Sequence, residues 1–143
     1  MTICVKERKQ LLGKIVGQGL APAECRLTKY GKIVSEQIKL LETRYEGIKI
    51  DTYVVMPNHI HIIIYNYNMA AGARPCPTIS DIICTLKSIS TRLSRKEGLI
   101  EKHLFQSSLH DHIIRDDEDY NKIWEYIDTN ILKWEQDCFY NNL

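Results

Sequence analysis

The chain has 143 residues, of which 44% are hydrophobic and 26% are charged, and this composition is typical of one globular domain spanning residues 1–143. No apolar run approaches the roughly 20 residues that a transmembrane helix needs, which argues against a membrane-spanning helix. The net charge of +1 does not by itself indicate a nucleic-acid ligand, although a neutral total can conceal a basic face.

The cysteines give a first indication of the cellular compartment. Five cysteines are an odd number, and no two of them form a Cys-x-x-Cys pair. This pattern argues against a disulfide framework and against a zinc knuckle. Reduced thiols are typical of cytoplasmic proteins, so we expect a cytoplasmic location.

The first third of the chain predicts short strands followed by a helix. Residues 2–5 favour a strand, residues 11–16 a second short strand or hairpin arm, and residues 21–24 a loop that contains a proline. Thr28 is a suitable N-cap for a helix over residues 29–43, where apolar residues recur at helical spacing.

The centre of the chain predicts two strands joined by a tight turn. Apolar residues alternate over residues 48–56, the turn lies at Pro57-Asn58, and a second alternating stretch covers residues 59–65. The second strand lies between two others in the sequence and is uniformly apolar on one face. We therefore expect it to be central in its sheet.

Two histidines share one face of this second strand. Alternation puts His59 and His61 on one side, and Ile60 and Ile62 on the other. Imidazoles two residues apart on a strand are about 7 Å apart along it and can converge on one divalent ion. The alternative is that both histidines merely lie on a half-exposed strand.

A long amphipathic helix is predicted after a loop at residues 66–77. Thr78 and Asp81 form a capping box, an apolar stripe runs through residues 79–93, and Gly98 ends the helix. Basic side chains lie away from the stripe, and we expect them to contact DNA phosphates, although an ordinary solvated helix face would show the same pattern. These are Lys87, Arg92, Arg95 and Lys96.

The last third predicts a strand over residues 109–115 and a final helix. Acidic residues at 116–119 favour a helix start, and apolar residues continue at helical spacing to Trp134. The order strand, helix, strand, strand, helix, strand, helix matches the split βαβ arrangement. We therefore predict a ferredoxin-like α+β fold, with an antiparallel sheet and helices packed on one face.

One tyrosine of the final helix lies off its apolar stripe. Tyr126 and Asn130 are four residues apart and therefore neighbours on one flank, together with Lys133. A phenol beside an amide and an amine is suited to handling phosphate, although a boundary tyrosine would look the same. Tyr120, by contrast, lies on the stripe and is predicted to be core.

These residues combine into a coherent chemistry. A divalent ion on His59 and His61, with the Asn130 amide oxygen as a third ligand, would polarise a phosphodiester. Tyr126 would then attack the phosphorus as a nucleophile. Such a site would cleave DNA by transesterification and conserve the bond energy in a phosphotyrosine.

Two other functions stay open at this point. A non-catalytic nucleic-acid-binding module of ferredoxin-like fold would use exposed aromatic residues, here Tyr53 and Tyr65, as stacking platforms. A metallohydrolase would use His110 or His112 as a further ligand and leave no protein–DNA adduct. Metal-dependent strand cleavage with a covalent adduct distinguishes the three functions.

Several ordered motifs along nearly the whole chain resemble the single-tyrosine HUH transposases (IS200-like), and most closely the REP-associated tyrosine transposases. They are Thr-Ile-Cys at 2–4, Tyr-Val-Val-Met-Pro-Asn-His-Ile-His at 53–61, Leu-Lys-Ser at 86–88, Phe-Gln-Ser-Ser at 105–108, Asp-His-Ile-Ile-Arg at 111–115, and Tyr126-Ile127-x-x-Asn130 with Trp134. The resemblance implies a ferredoxin-like domain that binds a DNA hairpin and cuts adjacent single-stranded DNA with Mg²⁺ or Mn²⁺ in the bacterial cytosol.

The resemblance also assigns roles to individual residues. His59 and His61 match the family's metal-binding pair, Tyr126 matches its nucleophile, and Asn130 stands where some members have a ligand. The reaction it implies joins the tyrosine to a 5′ phosphate and releases a 3′ hydroxyl. The sequence leaves open whether the protein is a homodimer and whether Tyr126 completes the site of its own chain or of a partner.

Overall fold

A computed structural model describes residues 1–17, 22–67 and 77–140. Its strands and longer helices, in chain order, are β1 (Thr2–Cys4), β2 (Gly13–Val16), β3 (Glu24–Leu27), α1 (Lys29–Lys39), α2 (Leu41–Arg44), β4 (Ile48–Val55), β5 (His59–Asn66), α3 (Ile79–Lys96) and α4 (Asp117–Thr129). Short 3₁₀ turns cover Lys6–Arg8 and Trp134–Gln136. None of the helices in the described ranges has both the length and the apolar character to cross a bilayer.

The main sheet has three antiparallel strands in the order β1-β5-β4, and β2 and β3 pair in a separate hairpin. β5 is therefore central, as the sequence predicts, and the antiparallel α+β architecture is confirmed. The loop predicted at residues 21–24 overlaps the hairpin strand β3 at its first residue, Glu24. This segment is a strand because it pairs with β2, where Val16 lies opposite Glu24. The residues of the segment alone do not indicate that pairing.

Helices α1 and α3 pack together on the apolar face of the sheet. Ile60 and Ile62 of β5 are fully buried there, as predicted. Burying an isoleucine side chain contributes on the order of 1.5–3 kcal/mol. The other residues of this core include Val34, Ile38, Ile82, Ile83 and Leu86. Helix α4 contacts β4 and β5, and its Tyr126 lies beside His61 on the opposite face.

A β-bulge in β4 corrects the simple alternation predicted over residues 48–56. The pairing with β5 shifts between Ile50 and Thr52, which leaves Asp51 as an extra residue. After the bulge, Tyr53 and Val55 pair with residues of the apolar face. The bulge therefore turns both side chains toward the helices rather than away from them.

The helix starts agree with the predicted caps. Thr28 accepts a hydrogen bond from the Gly31 amide, and Thr78 and Asp81 form the full capping box. The helix ends differ, because the predicted helix at residues 29–43 is divided at Leu40 into α1 and α2. The final helix ends at Thr129 rather than at Trp134, and the chain then turns back toward β5.

The predicted strand at residues 109–115 is wrong. Only one isolated pairing forms there, between His110 and Thr2, with N···O distances of 2.7 and 3.2 Å. Alternation fails to make a strand because no layer covers the segment: Ile113 is 73% exposed. His112 instead contacts Asp119 of α4 at 2.7 Å. Most of the loop predicted at residues 66–77 lies outside the described residues.

Candidate metal and tyrosine site

The two histidines of β5 are buried beneath α4 and the chain that follows it. His59 is 0% and His61 5% exposed, and their ring centroids are 4.5 Å apart. The Nδ1 atom of His59 donates to the side-chain oxygen of Asn58, and that of His61 lies 2.8 Å from the Thr2 hydroxyl. These contacts orient both rings and leave the Nε2 atoms for another partner.

Three buried atoms of this site have no hydrogen-bond partner. They are Nε2 of His59, Nε2 of His61 and Oδ1 of Asn130, and all three can act as lone-pair donors. Buried polar atoms are normally satisfied, so three orphans in one place indicate a ligand-binding site. Two imidazoles and an amide oxygen are a donor set that fits a divalent ion such as Mn²⁺ or Mg²⁺.

Asp137, a carboxylate that the sequence pattern does not predict, completes the cluster. Asp137 Oδ2 accepts hydrogen bonds from Asn130 Nδ2 at 2.7 Å and from the Tyr126 hydroxyl at 3.0 Å. The ligand atoms of His59, His61 and Asp137 all lie within 4.8 Å of one another. The available signal was the position of Asp137 between two aromatic residues, Trp134 and Phe139, which indicate that the chain returns to the protein.

Tyr126 lies beside the histidine pair of its own chain. Its ring centroid is 5.0 Å from that of His61, and 43% of the residue is exposed. The prediction that it lies off the apolar stripe is therefore confirmed. Tyr120, predicted as core, is half-buried, and its hydroxyl donates to Asp51 at the β4 bulge over 2.7 Å.

Burial sets the charge states of the site. It lowers the pKa of His59 to about 4 and that of His61 to about 3, so both rings are neutral near pH 7. Their contact with Asp137, 3.9 Å from His59, is therefore not an ion pair at that pH. Burial and the neighbouring Asp137 carboxylate raise the pKa of Tyr126.

Asp137 stays ionised for a different reason. Burial alone would raise its pKa, but hydrogen bonds from the Phe139 amide and from Asn130, among other contacts, lower it below the usual value. The result is a negative carboxylate beside two neutral imidazoles. Phe139 and Trp134 cover the His59 ring, with centroids at 4.7 and 5.9 Å, and shield it from water.

A second feature is a basic cleft of about 900 Å³ between α3 and residues 103–108. Arg92 and Arg95 line it as the sequence predicts for a phosphate-binding face, and Lys6 and His103 add further basic groups. No carboxylate is among the described residues that line this cleft. The cleft is thus a surface of one charge sign, suited to an anionic ligand.

The other predicted basic residues lie in different surroundings. Lys87 lines the cleft, but its ammonium group donates to the carbonyls of Gln106 and Ser108, both at 2.9 Å. It therefore holds the wall of the cleft, which makes it a poor candidate for a phosphate contact. Lys96 and Lys133 are exposed and do not line the cleft.

The residues needed by the two alternative functions are not brought together. The Tyr53 hydroxyl lies 2.9 Å from that of Ser35 on α1, so Tyr53 is on the sheet face opposite Tyr65 and forms no platform with it. His110 and His112 are exposed. Among the residues that the structure describes, His59, His61 and Asp137 form the one cluster of metal-binding type.

Comparison with known proteins identifies the family. The family described as "Transposase IS200 like" matches residues 1–130. The chain belongs to the IS200-like transposase family. A protein of Haemophilus influenzae strain Rd, named only as uncharacterized, is 31% identical over 155 residues, covering 98% of this chain and 83% of that protein. The resemblance stated from the motifs is thus confirmed.

A solved structure supports the same fold. A REP-associated tyrosine transposase bound to a REP hairpin superimposes with a TM-score of 0.65 at 21% identity, over 93% of this chain. The chain spans 65% of the length of that protein. The family match ends at Asn130, so Asp137 lies beyond the matched region.

Proposed function

We propose that the protein cleaves and rejoins single-stranded DNA through a 5′-phosphotyrosine intermediate on Tyr126. The observation that carries this proposal is the group of three orphaned buried atoms, on His59, His61 and Asn130, beside Tyr126 in a chain of a transposase family. These three residues would hold Mg²⁺ or Mn²⁺. The ion would supply Lewis-acid polarisation of the scissile phosphate and neutralise developing charge.

The residues of the chain would have separate roles in the reaction. Asn58 and Thr2 orient the two imidazoles through their Nδ1 atoms. The Tyr126 oxygen forms a bond to phosphorus while the bond from phosphorus to the 3′ oxygen breaks. The phenol loses its proton and the leaving oxygen gains one, so no net proton is released. Reversal by attack of the 3′ hydroxyl rejoins the DNA without another energy source.

The contact between Tyr126 and His61 within one chain supports a site that is complete in each protomer. Cleavage would then need neither a partner's tyrosine nor a homodimer. Mixing Tyr126→Phe protein with His61→Ala protein tests this proposal, because each lacks one half of the site. Restored adduct formation in the mixture would show that the tyrosine is shared between protomers.

The basic cleft supports a second part of the proposal, namely binding of DNA phosphates. Arg92 and Arg95 would contact the backbone, with Lys6 and His103 also lining the cleft and Lys96 and Lys133 as outlying contacts. Because the solved relative is bound to a REP hairpin, we propose hairpin DNA with adjacent single strand as the ligand. Such a reaction would take place on DNA in the bacterial cytosol.

A covalent-adduct experiment tests the function. The protein is incubated with Mn²⁺ and single-stranded DNA from the flanks of its own gene, labelled at the 3′ end, and run on a denaturing gel. Wild-type protein should carry label, and Tyr126→Phe protein should carry none while still binding DNA. Tyr120→Phe is the matched control and should keep the adduct, since its hydroxyl contacts Asp51 outside the site. DNA binding without any wild-type adduct would instead support the non-catalytic binding module.

A further inference from the structure

Asp137 is a buried carboxylate with three hydrogen-bond donors around it. Its side chain is 1% exposed, although it belongs to the segment beyond α4 and beyond the family match. Oδ2 accepts from Asn130 and Tyr126, and Oδ1 accepts from the Phe139 amide at 2.7 Å. A buried charge is costly unless its hydrogen bonds are made, so this arrangement indicates a specific role.

The first consequence concerns the Asn130 amide. An asparagine side chain has an oxygen and an NH₂ group, and only the NH₂ group can face a carboxylate. Donation from Nδ2 to Asp137 therefore turns Oδ1 away from the carboxylate as a free acceptor. Without the carboxylate, the amide could rotate and donate to an orphaned histidine Nε2, which would occupy a ligand position.

The second consequence concerns the Tyr126 hydroxyl. The same Oδ2 atom that holds Asn130 also accepts the phenolic hydrogen, so one carboxylate oxygen fixes the hydroxyl and the amide together. The ring of Tyr126 lies against that of His61, and 43% of the residue is exposed. Its hydroxyl direction thus depends on this hydrogen bond.

We infer that Asp137 is a positioning residue of the active site. It orients the Asn130 oxygen toward the metal position and the Tyr126 hydroxyl toward the substrate phosphate. This inference rests on the proposed function. Asp137 would then contact a metal ligand, Asn130, and not the metal itself. Carboxylates in such positions orient metal ligands through hydrogen bonds. The competing assignment is that Asp137 is itself a metal ligand, since its oxygen is 3.9 Å from His59 Nε2.

A double-mutant cycle on the full chain separates these two assignments. Mn²⁺ affinity is measured by calorimetry for the wild-type protein, Asp137→Asn, Asn130→Ala and the double variant. The new amide at position 137 has one acceptor and one NH₂ group, so it cannot accept from all three donors. We expect Asp137→Asn to weaken Mn²⁺ binding about 10–100-fold when Asn130 is present. In the Asn130→Ala background its effect should fall below about twofold.

The DNA reaction supplies a second readout. Asp137→Asn should lower the rate of adduct formation while the affinity for single-stranded DNA stays unchanged, because Asp137 does not line the basic cleft. Glu135→Gln is the matched control: it removes one charge from the same segment at an exposed side chain and should change neither quantity. If Asp137→Asn does not fold, Asp137→Ser removes the carboxylate with a smaller side chain and should show the same coupling.

Several outcomes would overturn the inference. An equal loss of Mn²⁺ affinity in both backgrounds would make Asp137 a direct ligand. Unchanged affinity, or faster adduct formation in Asp137→Asn, would remove any positioning role. Failure of the wild-type protein to bind Mn²⁺ or to form an adduct would count against the proposed function itself, so the two failures are distinguishable.

Discussion

The two faces of β5 are both buried, but one carries apolar side chains and the other carries polar side chains. On one face Ile60 and Ile62 are fully covered by apolar side chains of α1 and α3, and burial itself is favourable. On the other face His59 and His61 are covered by aromatic rings, while their Nε2 atoms have no partner. Burying unsatisfied polar atoms costs stability. One face is therefore explained by folding, and the other leaves buried acceptors that the proposed metal ion would satisfy.

The largest effect is expected from a substitution on the histidine face of β5. Replacing His61 with alanine should lower DNA cleavage by at least about a thousandfold, because the proposed metal ion would lose a ligand and such an ion contributes several kcal/mol. The protein should stay folded, since the change also removes an orphaned buried acceptor. Adduct yield and a thermal melt measure the two properties. Full cleavage by metal-free protein in a chelator would contradict the metal site.

Ile62→Ala breaks the apolar face and should have the converse result. It leaves a cavity under α1 and α3 and should destabilise the protein by about 2–5 kcal/mol in a urea titration. Below the unfolding transition, the remaining folded protein should still form the adduct, because Ile62 points away from the histidines. A variant that keeps its stability but loses cleavage would show that the two faces are not independent.

Substitutions in the basic cleft should change the affinity for DNA without changing the catalytic residues. Arg92→Ala with Arg95→Ala should weaken DNA binding roughly tenfold and reduce the salt slope by up to about two charges. Lys14→Ala with Lys32→Ala removes the same charge from exposed positions away from the cleft and serves as control. Titrations at several salt concentrations measure both quantities. Equal effects of the two double variants would mean that the cleft has no special affinity.

The sequence predicted those parts of the site that depend on local periodicity. Alternation along the strand assigned His59 and His61 to the face opposite Ile60, and helical spacing turned Tyr126 and Asn130 away from the core stripe. Both are consequences of backbone geometry within a single element. The roles of these residues as metal ligands and nucleophile remain predictions.

The parts that were missed depend on distant segments of the chain. Asp137 enters the site only because the chain turns back after Thr129. Lys87 lies off its helix stripe as predicted, but carbonyl groups some 20 residues away, at Gln106 and Ser108, occupy its ammonium group. The bulge at Asp51 redirects Tyr53 in the same non-local way. Periodicity carries no information about such contacts.

The smallest expected effect is the pH dependence of stability that the two histidines of this face produce. Folding lowers the histidine pKa values from 6.5 to about 4 for His59 and about 3 for His61. Between those values and 6.5 the unfolded chain binds more protons, so stability is present above pH 6.5 and is lost as the pH falls toward 4. From pH 7 to pH 5.5 the loss should be about 1 kcal/mol per histidine in metal-free protein. Urea titrations across this range measure it, and His61→Leu should show a shallower decline. An unchanged slope in that variant would mean that the buried imidazole is not the group that titrates.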